Sequence, residues 1–387
     1  MDPAAEYRVA FTDWLACACA GANERAPRAV RTLGDDLSAD VAFAATAGHV
    51  LDYDDTFADG VAHVSAACAP AALVLAARLG YPLGAAIDAY AEGFEAMAAV
   101  AAASHPALYD AGWHPTAVLA PIGAAVASAP LLELDEAQLR NALALAILRA
   151  GGTRGAFGSD GKAIQVGLAA AAGMQAALLA REGASVDPRA IHGPLGFEAV
   201  VGASWAVADG ASRAIDRNWI KVHPSCLGTH SPIDAAERAR RAGYELGGDK
   251  LRVAVDPLAR QAAHLDDVSE GLEAKFSIPY CVAHTLLHGP PRVRDFAALD
   301  AETSARAGSV TVEVDERLPG FGAVLISAGK ELARVDAPDG SPERPAEPAE
   351  LESKVHDLTG DRLDGLLEDL ERPASEALTA AGLGEPG

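Results

Sequence analysis

The sequence predicts a mainly α protein: a large all-helical domain with a smaller α+β domain inserted near its end. Three observations predict it. Half of the 387 residues are hydrophobic but only 5% are aromatic. The apolar volume therefore comes from Ala, Leu and Val, which suit closely packed helices better than a β-sandwich. Up to about residue 220 little reads as strand, whereas beyond it short runs alternate apolar and polar residues, the half-buried strand pattern.

Residues 7–30, around Phe11-Thr-Asp-Trp-Leu-Ala-Cys, read as an amphipathic helix. Helices over 66–79 and 83–103 are parted by Gly80, Tyr81 and Pro82, and 116–131 reads as a buried helix. Asp135-Glu-Ala-Gln-Leu starts another, with acids at its positive end. A long helix over 162–182 is stopped by Gly183. Strands are expected over 250–256 and 309–315, with hairpin strands over 323–327 and 331–335 and a helix over 279–287. A Pro-rich acidic linker, 336–350, precedes a helix over 351–370. The domain reading is 1–222 helical, 223–337 α+β, and 338–387 a linker with C-terminal helices returning to the helical domain. No internal repeat is visible.

A mean hydropathy of +0.11 leaves room for a substantial core. The formal charge of −23 argues against nucleic acid or an anionic membrane as partner, and an anionic substrate needs a local basic pocket. The N-terminus lacks the basic region of a signal peptide. The apolar runs at 66–77 and 118–132 are broken by Pro70 and by Pro121, Gly123 and Pro130, short of the roughly 20 residues that span a bilayer. Five scattered cysteines without a Cys-x-x-Cys pair give no disulfide framework, structural zinc or iron–sulfur site. The chain reads as cytoplasmic, with no cofactor and no metal.

The chemistry concentrates in a few segments. Residues 49–65 crowd Asp52, Asp54, Asp55, Thr56, His49 and His63 between alanine-rich stretches, and carboxylates beside apolar packing are costly unless paired. A helix cap is the simpler use of Asp52 or Asp55. Gly112-Trp-His-Pro-Thr sets His114 ahead of a helix that Thr116 can cap, where an imidazole pKa is lowered. Phe157-Gly-Ser-Asp-Gly-Lys places Lys162 at a helix start with free N–H groups, a seat for a carboxylate, and Arg154 can add a bidentate contact. It is not a phosphate loop, because the glycine spacing is wrong. Ser225, Cys226, Thr229 and His230 lie in a loop at the domain boundary, and Tyr280 leads a helix of the smaller domain as a phenolic donor.

In this order these segments resemble the MmgE/PrpD family. The resemblance rests on His49-Val-Leu-Asp-Tyr-Asp-Asp-Thr, Gly112-Trp-His-Pro-Thr, Phe157-Gly-Ser-Asp-Gly-Lys, His223-Pro-Ser-Cys-Leu-Gly-Thr-His with Ile233-Asp-Ala-Ala, Lys275-Phe-Ser-Ile-Pro-Tyr, and Ser341-Pro followed by Lys354. It covers nearly the whole chain. It implies a helical domain with an inserted α+β lid, a homodimer, and metal-independent acid–base chemistry on a small carboxylic acid. Carried over by position, Asp52, Thr56, His63, His114, Lys162, His230 and Tyr280 share the cleft. The chain departs from the family pattern at Lys162-Ala-Ile-Gln165, where many members end in histidine, at Leu227, where many have arginine, and at His63-Val-Ser, where many read His-Pro-Ser. Fewer fixed cations imply a substrate with fewer carboxylates than methylcitrate.

The resulting expectation is a lyase that dehydrates or decarboxylates its substrate by proton transfer at carbon next to a carboxylate. Asp52, His63, His114, Lys162 and Tyr280 are the catalytic candidates, and Thr56, Arg154, Ser225 and His230 the substrate-binding ones. Epimerisation of a small dicarboxylate by the same site, a non-catalytic acid-binding homologue, and a Cys226-dependent hydrolase are the alternatives.

Overall fold

The computed structural model describes residues 4–210, 212–247 and 250–384 and is mainly helical. The larger unit contains α1 (Ala5–Gly21), α2 (Leu37–His49), α3 (Val64–Leu79), α4 (Leu83–Ser104), α5 (Pro115–Ser128), α6 (Glu136–Ala146) and α7 (Gly161–Arg181). Alanine is what lets these helices lie so close: every residue of α5 is buried, against α3, α4 and α7. Gly173 of α7 has no room for a Cβ against the Pro121 carbonyl of α5. Pro70 and Pro121 stand inside α3 and α5, where each removes a ladder hydrogen bond that tertiary packing has to offset. The few large rings cluster, with Phe11 and Tyr90 edge to face at 5.6 Å. Among the described residues one helix, α7, has the length and apolar composition to cross a membrane, yet it packs among α2, α5 and α6, two-thirds buried.

The helix expected over 7–30 is two, because Gly21 and Asn23 break the run and a short helix, Arg25–Val30, follows. Asp135 caps α6 in a full capping box with Gln138. Two short strands, β1 (Thr56–Phe57) and β2 (Asn218–Trp219), pair antiparallel; at two residues each they are too short to show alternation.

The smaller unit holds β3 (Leu251–Val255), β4 (Val310–Val314), β5 (Ala323–Ser327) and β6 (Lys330–Val335), in the order β4-β3-β5-β6. β3 runs parallel to β4 and antiparallel to β5. β5 and β6 form a hairpin whose turn residues Ala328 and Gly329 have φ of 48° and 76°, the sign a tight primed turn needs. Helix α8 (His230–Arg241) packs on β5 and β6 and against α9 (Ile278–His288). Leu251, Val253 and Val255 bury their side chains in a core shared with Ala235 and Ala239. After β6 the chain returns to the larger unit as α10 (Pro348–Thr359), which lies on α1. The helix expected over 351–370 stops at Thr359, where Gly360 turns with φ of 58°.

Candidate active site

Helix ends converge on one point. The chain leaves α2 at His49 and turns through Asp52, which holds the left-handed φ of 51° that Asp tolerates better than most side chains. β1 and the bridge from Phe57 to Ala62 fold it back, so that His63 stands at the start of α3 with its N–H donated to Thr116 Oγ1 at 3.0 Å. Thr116 therefore ties α5 to α3 rather than capping its own helix. His114 begins α5, and Lys162 sits in the first turn of α7.

Asp52 is the electrostatic centre. Its Oδ1 accepts from Lys162 Nζ at 3.0 Å and from Lys221 Nζ at 2.9 Å, and Lys221 also donates to the Asp52 carbonyl at 2.6 Å. Burial pushes this carboxyl upward, but the two ammonium groups and the nearby imidazoles overcome it and hold it well below the usual range. Asp54 Oδ2 sits between two imidazoles, 2.8 Å from His49 Nδ1 and 3.1 Å from His63 Nδ1, and stays ionised despite its burial. The imidazoles are neutral at neutral pH. Burial lowers His49 to about 4, and burial together with Lys162 lowers His63 and His114. The direction expected for His114 is right, though desolvation and not the helix start leads its causes. Lys275 donates to the Leu51 carbonyl at 2.5 Å and the Pro224 carbonyl at 2.9 Å, and burial lowers it to about 8.

A cavity of about 40 Å³ is lined by Asp52, Thr56, His63, His114 and Lys162 on its polar side. Val61, Tyr109, Phe157, Leu227, Phe276 and Phe321 supply most of the apolar side. A larger surface cavity of about 1020 Å³ also touches Phe321 but is lined by none of these five polar groups. Cys226 lines the small cavity too, and burial pushes its thiol up to about 11, so it stays protonated at neutral pH. His49, Asp54 and His63 have metal-ligand chemistry within 4.8 Å of one another. His49 Nδ1 is hydrogen-bonded to Asp54 Oδ2, and His63 Nδ1 lies 3.1 Å from the same oxygen and 3.3 Å from Thr56 Oγ1.

The remaining expected residues stand apart. The Tyr280 hydroxyl accepts the Asp300 N–H at 2.9 Å, and its ring packs among Ile233, Ala274 and Phe296, because its helix turns that face into the smaller unit's core. Arg154 spends its guanidinium on the Tyr109 carbonyl at 2.9 Å and the Gln261 carbonyl at 2.6 Å, stacked over the Tyr109 ring. It braces Tyr109, part of the cavity wall. Ser225 Oγ pairs with Thr229 Oγ1 at 2.7 Å, and His230 Nε2 meets the Ser225 carbonyl at 3.3 Å, so both brace the loop before α8. Lys221 gave no sequence signal beyond a lone cation in an apolar run, whereas His49, Asp54 and Lys275 lay in quoted motifs without a role.

The family model of the MmgE/PrpD N-terminal domain matches residues 3–208, and that of the MmgE/PrpD C-terminal domain matches 223–377. The chain is 27% identical over 270 residues to cis-aconitate decarboxylase of Mus musculus, across 64% of this chain and 54% of that protein. To cis-aconitate decarboxylase of Homo sapiens it is 26% identical over 273 residues, across 64% and 55%. The chain thus spans about half the length of these curated relatives.

Proposed function

The chain belongs to the MmgE/PrpD family, and we propose that it is a lyase that moves a proton at carbon next to the carboxylate of a small acid. The observation that carries this reading is the single cavity lined by Asp52, Thr56, His63, His114 and Lys162. Lys162 grips the substrate carboxylate. Asp54 takes the hydrogen of His63 Nδ1, which leaves the Nε2 lone pair to accept the substrate proton. Charge then spreads onto oxygens that Lys162 and His114 stabilise. The smaller unit, which contributes Cys226, Leu227, Phe276 and Phe321 to the cavity wall, acts as the lid. Dehydration follows from this anion by loss of the neighbouring hydroxyl as water; decarboxylation, the activity named for both relatives, reaches a similar anion by loss of CO2, and the imidazole then gives a proton to carbon.

Among the described residues Lys162 is the one cation lining the cavity, opposite a largely apolar wall. A substrate with one gripped carboxylate and an apolar remainder fits best. Mono-, di- and tricarboxylic acids incubated with the protein in heavy water test this by NMR. Deuterium entry or product formation is expected with a monocarboxylate, and Lys162→Ala or His63→Ala should slow it by about 10²-fold or more. No exchange with any acid, or exchange unchanged in both variants, refutes the reading. Burial keeps the Cys226 thiol protonated, which weighs against a cysteine hydrolase using this cavity.

A further inference from the structure

Gln165, where the family pattern often has histidine, does not face solvent idly. We infer that its carboxamide fixes His114 as the Nε2–H tautomer, so that this imidazole meets the cavity as a hydrogen-bond donor. Gln165 Oε1 accepts the Thr153 N–H at 3.0 Å, Nε2 donates to the Thr153 carbonyl at 3.2 Å, and the same Nε2 lies 2.7 Å from His114 Nδ1. A flipped carboxamide would set NH2 against the Thr153 N–H and oxygen against the Thr153 carbonyl, losing both bonds. Backbone, not the imidazole, therefore sets the orientation. With one Nε2 hydrogen on the Thr153 carbonyl, the other points at His114 Nδ1, which has to accept it with a lone pair. An imidazole with a bare Nδ1 carries its hydrogen on Nε2.

The clamp is rigid at both ends. Thr153 bridges to Trp113, the His114 N–H donates to the Gly152 carbonyl at 3.1 Å, and the Arg154 N–H donates to the Gly112 carbonyl at 3.0 Å. Gly152 makes this turn with φ of 119°, and a Cβ there would lie 2.6 Å from the Ala117 methyl and 3.0 Å from Gln165 Oε1. The loop that orients Gln165 thus also holds the His114 backbone. His63 faces the other way: Nδ1 lies 3.1 Å from ionised Asp54 and 3.3 Å from Thr56 Oγ1, whereas Nε2 lies farther, 3.8 Å, from Asp52 Oδ1, which favours the hydrogen on Nδ1. The nearer carboxylate thus sets His63 toward the opposite tautomer from His114, one imidazole to accept and one to donate. The tautomer stands on hydrogen bonds alone; only its use rests on the proposed function.

Histidine-15N-labelled full-length protein tests it by long-range proton–nitrogen correlation, with His114 assigned by its loss in His114→Asn. The expected result is a pyridine-like Nδ1 and a protonated Nε2 on His114. In Gln165→Glu the carboxylate should draw the hydrogen to Nδ1 and make Nε2 pyridine-like, while turnover falls on the order of 10²-fold or more with KM changed far less. A wild-type His114 protonated on Nδ1, or an unchanged tautomer in Gln165→Glu, overturns the inference. If that variant does not fold, the wild-type spectrum decides alone. The stated tautomer in a protein that processes no carboxylic acid would uphold Gln165 and sink the proposed function instead.

Discussion

Asp55 offers the sharpest test of how this loop handles its acids. It neighbours Asp54, yet the two carboxyls are driven in opposite directions. Asp54 faces imidazoles and stays ionised, whereas burial, followed by the charge of Asp13, pushes Asp55 up to about 8. Asp55 Oδ2 accepts from Ser65 Oγ at 2.6 Å and Asn218 Nδ2 at 2.5 Å, and Oδ1 has no partner. The folded pKa lies above the unfolded one, so the folded state binds the extra proton. Stability is then fully present below about 4 and is lost as pH rises toward 8. At about 1.4 kcal/mol per unit, roughly three units separate neutral pH from the unfolded pKa, a loss of about 4 kcal/mol. Asp55→Asn keeps an oxygen for both donors and removes the ionisation. Urea denaturation at pH 5, 6, 7 and 8 should show the variant gaining on the wild type by about 1.4 kcal/mol per pH unit up to 7 and by less between 7 and 8. A difference that does not change with pH refutes the reasoning, and so does a variant less stable than the wild type at pH 7.

Lys221→Met removes one partner of a fully buried pair and should destabilise by about 3–5 kcal/mol, an effect that shrinks in an Asp52→Asn background; equal losses in both backgrounds in chemical denaturation would contradict the pairing. Tyr280→Phe removes only the acceptor of the Asp300 N–H, so it should lose about 1 kcal/mol of stability and leave turnover intact. A turnover loss of tenfold or more without unfolding would return Tyr280 to the site.

The helices were legible because alanine-rich runs bounded by Gly or Pro leave few other options, and the strands of the smaller unit because alternation is a local signal. The parallel pairing of β3 with β4 was not, since nothing in either strand names a partner about sixty residues away. Within the site, Asp52, Thr56, His63, His114 and Lys162 announced themselves as polar groups at helix ends in apolar surroundings, and they line one cavity. Lys221 was hidden because a buried lysine looks like any lysine until its carboxylate is found. Arg154 and Tyr280 are the converse case. Each is a strong donor by type, and the fold had already given each a different use: backbone carbonyls for the arginine, a capping N–H for the phenol.

The acidic surface makes the inner cations decisive. A protein of formal charge −23 repels an anionic substrate at long range, but that repulsion is screened within about 10 Å at moderate salt. Two charges 4 Å apart near a protein surface still interact by about 4 kcal/mol. Lys162 lies within that reach of an anion in the cavity, but so does ionised Asp52, which already holds its ammonium at 3.0 Å. On the proposed reading, a first carboxylate would share the remaining Lys162 donors and meet the neutral donor of His114. A second would meet Asp52, with Lys221 and Lys275 turned away, onto Asp52 and onto the Leu51 and Pro224 carbonyls. The same carboxylates that set the lysines and His63 in place therefore limit how much negative charge the cavity can take.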